Sequence, residues 1–210
     1  VSTANVDAHF WKTLPIPEGG EKIRRILFDH HTLHNRFYYS GGNTTVKFLS
    51  AMPLIEDKVL SQSPLGTWTV AFPDEGAYKR FGGYFTQKHY KTIICGKVRK
   101  GDQRIVTIND SEVDITKCQN IMIVDDLVRS GGTLLECAKV LREAGSSYLK
   151  VSVFVTHAQF PNDSWKKFVE NDLVDMFYTT NTIPRVAVKL LEYPDKFTVL
   201  EVNRKIDSSL

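Results

Sequence analysis

Ile121-Met122-Ile123-Val124-Asp125-Asp126-Leu127-Val128-Arg129-Ser130-Gly131-Gly132-Thr133-Leu134-Leu135 is the stretch from which the fold is read. Four apolar residues run straight into two acids and a small-residue loop. From Thr133 onward, Leu134, Leu135, Ala138, Leu141 and Ala144 fall close to one helical face, and Gly145 supplies a C-terminal stop. Strand, acidic turn, small-residue loop and helix in this order predict a β–loop–α unit whose strand is buried on both faces.

Outward from this unit the same grammar repeats. Ile26-Leu27-Phe28, Trp68-Thr69-Val70-Ala71-Phe72, Thr92-Ile93-Ile94-Cys95 and Val151-Ser152-Val153-Phe154-Val155 read as short buried strands, with helix-period stretches between several of them. That alternation predicts an α/β fold, a parallel sheet flanked by helices. A second helix follows Gly76, where Ala77, Tyr78, Phe81 and Tyr84 recur at helical spacing, and a third spans about Val46 to Leu60, interrupted by Pro53. Arg104 to Ile108, after the polar turn Lys100-Gly101-Asp102, predicts one arm of a hairpin. There is no internal repeat and no low-complexity segment.

Composition narrows the class. A chain of 210 residues with 42% apolar and 24% charged content is an ordinary globular protein able to bury a core. The formal charge is +3 and its lysines and arginines are dispersed, so no nucleic-acid partner is expected. Three cysteines, Cys95, Cys118 and Cys137, without C-x-x-C spacing, argue against a disulfide framework or a structural zinc and for a reducing, cytoplasmic setting. No apolar run approaches the roughly 20 residues that span a bilayer, and Val1-Ser2-Thr3-Ala4-Asn5 lacks the parts of a signal peptide. The expectation is a protein that is neither membrane-bound nor secreted.

The loop carries the chemistry. Ligands of open α/β sheets bind beyond the carboxyl ends of the strands. Small residues at 130 to 133 let backbone N–H groups approach a phosphate, Ser130 and Thr133 offer hydroxyls, and the helix start adds the positive end of its dipole. Two adjacent acids would repel a phosphate, so Asp125 and Asp126 are better explained as acceptors for sugar hydroxyls, directly or through a divalent ion. A solvated acidic turn before an ordinary N-capped helix is the plain alternative; all four features in one order make it the minority reading.

Val124 to Thr133 resembles the PRPP-binding motif shared by type I phosphoribosyltransferases and PRPP synthetases, the ribose-phosphate pyrophosphokinases. Leu134-Leu135-Glu136-Cys137 and Val155-Thr156-His157-Ala158-Gln159-Phe160-Pro161 resemble the synthetases more than the transferases, and the plant-type, class II synthetases most. The likeness extends to Phe28 to Tyr38, Ala71 to Phe81 and Cys95 to Val106, and so covers nearly the whole chain.

On the residues alone, His30, His31 and His34 are equally a polar turn, Asp74 a Pro-Asp turn, and Lys97 with Arg99 a solvated basic hairpin. The resemblance implies more. It places His31 and Asp74 at the magnesium that accompanies ATP, and it makes Lys97 and Arg99 the mobile cations that stabilise the transition state. It gives Asp125 and Asp126 to the ribose, and Arg129, Ser130, Gly131, Gly132 and Thr133 to the 5-phosphate of ribose-5-phosphate. The implied reaction is attack by the anomeric hydroxyl on the β-phosphorus of Mg-ATP, releasing AMP, in a homo-oligomer or beside a full-length homologue.

Two departures stand out. Arg129 occupies a place held by an acid or an amide elsewhere in the family. The adenine- and ATP-phosphate-binding segments, which in the family precede the part matching Val1, are not found here. The expected organisation is residues 1–40 as the tail of a first phosphoribosyltransferase-like domain, 41–191 as a second, and 192–210 as a strand and tail returning to the first. A non-catalytic, regulatory ribose-phosphate-binding subunit, or a fragment of such an enzyme, is the rival to the synthetase, and a phosphoribosyltransferase, which would need a nucleobase-binding hood, is a third possibility.

Overall fold

The computed structural model describes residues 3–16, 18–31, 38–39, 41–100, 103–111 and 113–203. The chain forms two compact units, divided after Ala51.

The first unit is helix α1 (Thr3–Thr13) with the parallel pair β1 (Ile23–Phe28) and β2 (Thr44–Leu49). Asn43 ties α1 to β2 through its backbone N–H to Lys12 O at 3.1 Å and its side-chain amide to Leu14 O at 2.9 Å. The helix expected over about Val46 to Leu60 is therefore two elements, β2 and the short α2 (Met52–Lys58). Thr44, Thr45 and Val46 are β-branched and pair in register with Ile23, Arg24 and Arg25, and strand pairing outweighs the weak helical spacing. Pro53 falls in the first turn of α2, where its missing N–H leaves no bond unmade. Because β2 belongs with β1, the first unit runs past the expected boundary near residue 40.

The second unit is built on a seven-stranded sheet in the order β5-β4-β3-β6-β7-β8-β9. Its elements are β3 (Trp68–Phe72), α3 (Glu75–Gln87), β4 (Lys91–Lys100), β5 (Gln103–Ser111), β6 (Asn120–Val128), α4 (Gly132–Ala144), β7 (Lys150–Ala158), α5 (Lys166–Val169), β8 (Met176–Thr180), α6 (Pro184–Leu190) and β9 (Phe197–Leu200). All neighbouring strands are parallel except β4 and β5, which form the antiparallel arm expected around Arg104 to Ile108.

Strands β3, β6 and β7 sit mid-sheet and read as near-continuous apolar runs because both faces are covered. Val70, Ala71, Phe72, Ile121 to Val124 and Val153 to Val155 are fully buried, each larger side chain worth about 1.5–3 kcal/mol of transfer free energy. Under the β7–β8–β9 side, Phe160, Phe168, Phe177 and Phe197 pack in edge-to-face and tilted pairs with centroids 4.8 to 5.7 Å apart. The C-terminal strand β9 pairs with β8, Phe197 opposite Phe177. Burying Phe197 against this cluster holds β9 in the second unit's own sheet.

Candidate functional site

Register brings the quoted residues together. Ala71 of β3 pairs with Ile123 of β6, so Asp74 and Asp125, a few residues further along each chain, leave neighbouring strands at the same carboxyl edge. Phe72 pairs with Ile94 of β4, which places the backbone of Lys97 past that same edge.

A cleft of about 160 Å³ opens there, lined by Asp74, Asp125, Leu127 and the continuous run Val128 to Leu134. Gly131 is the N-cap of α4, at φ +80°, and no side chain caps the helix start. The first N–H groups of α4 therefore face the cleft, where an anion gains from them and from the helix dipole, typically 0.3–1 kcal/mol at an exposed end. Glycine at 131 is required twice: its backbone is left-handed, and an added Cβ would come within 2.4 Å of the Phe168 ring. Ser164 Oγ donates to Arg129 O at 3.2 Å and so anchors the far side of the loop.

Burial separates the two acids. Asp125 lines the cleft and accepts from the Asp126 N–H at 2.8 Å. Desolvation first, then repulsion by Asp126 and Asp74, pushes its carboxyl up to about 7, against the lowering effect of that backbone bond. Asp126 lies outside the cleft lining and forms a buried ion pair with Arg80 of α3, the side chains being only 12% and 5% exposed. Alternation along a strand sends consecutive side chains to opposite faces, which is why adjacent acids meet different partners.

Asp74 does two things. Its Oδ1 accepts from Ala77 N at 3.0 Å and caps α3, the turn-like role seen in the sequence, while the carboxylate also lines the cleft. Lys97 and Arg99 fall in the outer half of β4, in register with Val106 and Arg104 of β5. In the first unit, β1 leads into Asp29, His30 and the exposed His31. Asp29 is buried and accepts from Ser50 Oγ at 2.8 Å and Ala51 N at 2.9 Å, which fixes this turn. His34 lies outside the described residues.

Arg80 was missed by sequence reasoning, although a signal existed. It stands between Ala77 and Phe81 on the buried stripe of α3, where a cation requires a buried partner. Phe168 and Ser164 were missed because nothing local ties them to a loop some thirty-five residues earlier.

Among the described residues, no group of three or more His, Cys, Asp or Glu is placed to hold a metal. Two carboxylates on one cleft do fit magnesium, which takes one or two protein oxygens and completes its shell with water and phosphate.

A mostly parallel sheet with paired acids and an uncapped helix start at its carboxyl edge defines an α/β protein of the class that places ligands beyond its strand ends. Residues 104–204 match the family model described as the phosphoribosyl synthetase-associated domain. Ribose-phosphate pyrophosphokinase 3, chloroplastic, of Oryza sativa subsp. japonica is 38% identical across 100% of this chain and 50% of its own length. Ribose-phosphate pyrophosphokinase 4 of Arabidopsis thaliana is 37% identical, again across 100% of this chain and 61% of its own. The chain has the fold of the phosphoribosylpyrophosphate synthetase of Mycobacterium smegmatis, with a TM-score of 0.72 at 20% identity over 99% of this chain and 62% of that one. It is thus similar along its whole length to these two ribose-phosphate pyrophosphokinases, and it spans about half the length of the rice relative.

Proposed function

We propose that this chain carries the ribose-5-phosphate-binding part of a ribose-phosphate diphosphokinase, which transfers pyrophosphate from ATP to the anomeric hydroxyl of ribose-5-phosphate and yields PRPP and AMP. The cleft that joins Asp125 to the open N-terminus of α4 carries this reading. The 5-phosphate is held by backbone N–H groups of residues 131 to 133 with the hydroxyls of Ser130 and Thr133, and Arg129 adds a cation. Asp125 accepts from the ribose hydroxyls. Asp126, held by Arg80, keeps the strand end and the Asp125 backbone in place.

Asp74 is assigned to magnesium, and for His31, within its own unit, the resemblance implies the same role; when bound, the ion would supply charge neutralisation on the ATP phosphates. Lys97 and Arg99 meet the charge that develops as pyrophosphate leaves AMP, and no covalent nucleophile is used. The partners are ribose-5-phosphate and ATP, within a homo-oligomer or beside a longer homologue. No helix among the described residues is long and apolar enough to cross a membrane. Three free thiols suit a reducing compartment; the chloroplast designation of the rice relative leaves organelle and cytoplasm as alternatives.

A second reading, a non-catalytic ribose-phosphate-binding subunit, is favoured by one observation, the cation Arg129 in the cleft lining. Formation of AMP and PRPP by the purified chain from ATP, ribose-5-phosphate and magnesium decides between them, with Lys97→Ala as control. Activity abolished by the control establishes the first reading. Saturable ribose-5-phosphate binding that Asp125→Ala removes, without turnover, points to the second or to a fragment of such an enzyme. Absence of both turnover and binding refutes both.

A further inference from the structure

Cys95 and Cys137 are 42 positions apart in sequence, yet their sulfurs lie 3.2 Å apart, the Cys137 S–H donating to Cys95. Both are fully buried, and both are free thiols. Cys95 is in β4, on the far side of the register shift that follows Ile94. Cys137 is in α4, one turn beyond the residues that line the cleft. From this geometry we propose that the pair is an oxidative modification site, closing to an intramolecular Cys95–Cys137 disulfide when the protein meets a peroxide.

The chemistry balances as follows. The Cys95 thiolate attacks one peroxide oxygen, the O–O bond breaks, and the departing hydroxide leaves as water with the proton of the Cys95 thiol. Cys137 then attacks the resulting sulfenic sulfur; the S–S bond forms, the S–O bond breaks, and the second oxygen leaves as water with the Cys137 proton. Two thiols lose two electrons and one peroxide becomes two waters. The hydrogen bond from Cys137 lowers the Cys95 thiol, whereas donating that bond and being buried raise Cys137, so Cys95 is the attacking sulfur and Cys137 the resolving one. Access comes from the sheet margin. Among the described residues β5 is an edge strand of this sheet and pairs with β4 alone, so opening of this hairpin exposes Cys95 without unfolding the centre of the sheet. Cys118, partly exposed, has other partners: its sulfur meets Thr69 Oγ1 at 3.5 Å and donates to Asp114 O at 3.9 Å.

The bond would tie the base of the β4 hairpin, which bears Lys97 and Arg99, to the helix whose start forms the cleft. Its effect on turnover rests on the proposed function; the existence of the bond does not. The test treats the purified chain with hydrogen peroxide, alkylates remaining thiols, and maps peptides without reduction. The expected result is a Cys95–Cys137 linked peptide, a mass lower by two hydrogens, and one alkylated thiol, at Cys118, all reversed by dithiothreitol. A Cys118→Ser protein should give the same linked peptide, while Cys137→Ser should give none and accumulate sulfenic acid at Cys95. Linkage through Cys118, or over-oxidation of Cys95 with no linked peptide, overturns the proposal. Because the readout is a peptide and not a rate, a chain that forms the bond but neither binds ribose-5-phosphate nor makes PRPP would refute the function and leave this site standing.

Discussion

Replacing Arg80 by alanine tests whether the strand end before the loop is held by charge. The guanidinium and the Asp126 carboxylate are an ion pair with side chains 12% and 5% exposed, so removing the cation strands a desolvated carboxylate. Breaking a buried pair in this way costs about 3–5 kcal/mol. In a chain of this size each kcal/mol lowers Tm by about 2–4 °C, so Arg80→Ala should melt on the order of 6–20 °C below the parent. Arg80 also lies over the Phe81 ring at 5.0 Å, and loss of that packing adds to the same direction. The discriminating measurement is a double-mutant cycle in urea at neutral pH. Arg80→Leu with Asp126→Leu together should recover most of the stability lost by Arg80→Leu alone, because no unpaired charge remains. A single-mutant loss below about 1 kcal/mol, or a double mutant showing no coupling, would refute the reasoning and make the pair ornamental.

Other expectations follow from the same contacts. Gly131→Ala places a left-handed residue against Phe168; the αL conformation alone costs about 1–2 kcal/mol, and, on the proposed function, calorimetry should show ribose-5-phosphate affinity down tenfold or more. Asp125, with its carboxyl at about 7, holds a proton in the folded chain that the unfolded chain releases near pH 4. The folded state then binds more protons, so in chelated buffer stability should fall as pH rises from about 4 to 7; denaturation of Asp125→Asn across that range should lack the fall, and an identical slope would refute the assignment. Arg142 bonds Leu173 O at 2.8 Å, Leu149 O at 3.1 Å and Asp175 at 2.6 Å; Arg142→Ala should cost about 2 kcal/mol or more in urea denaturation by orphaning those carbonyls.

What the sequence disclosed and what it hid divide by range. The β6–loop–α4 unit was legible because each of its signals is local: an apolar run, two acids, small residues, a helical stripe and a terminal glycine, all within about twenty-five residues. The match from strand to helix confirmed it, with α4 beginning at Gly132 beside the expected Thr133. The stretch after Gly42 was misread because Thr44 to Leu49 carries a weak helical spacing, and only the partner β1 decides for strand. The sheet partner of the last strand was illegible for the same reason, since nothing in Phe197 to Val202 names Phe177 as its neighbour.

The candidate site shows the rule at a finer grain. Asp125 and Asp126 are indistinguishable by composition, and the family resemblance gives both to the ribose. Strand alternation already separates them, one face from the other, before any partner is known. It does not say which face holds the cleft; that comes from Arg80, forty-six positions away, reaching the second acid from α3. The first acid is left facing the open helix start, desolvated and near two other carboxylates, so its charge is costly until a ligand hydroxyl or cation offsets it. A site poised in this way stores, in one protonation equilibrium, the preference for binding that the loop's glycines make geometrically possible. Sequence supplies the groups; only the nonlocal pair determines which of them is free to act.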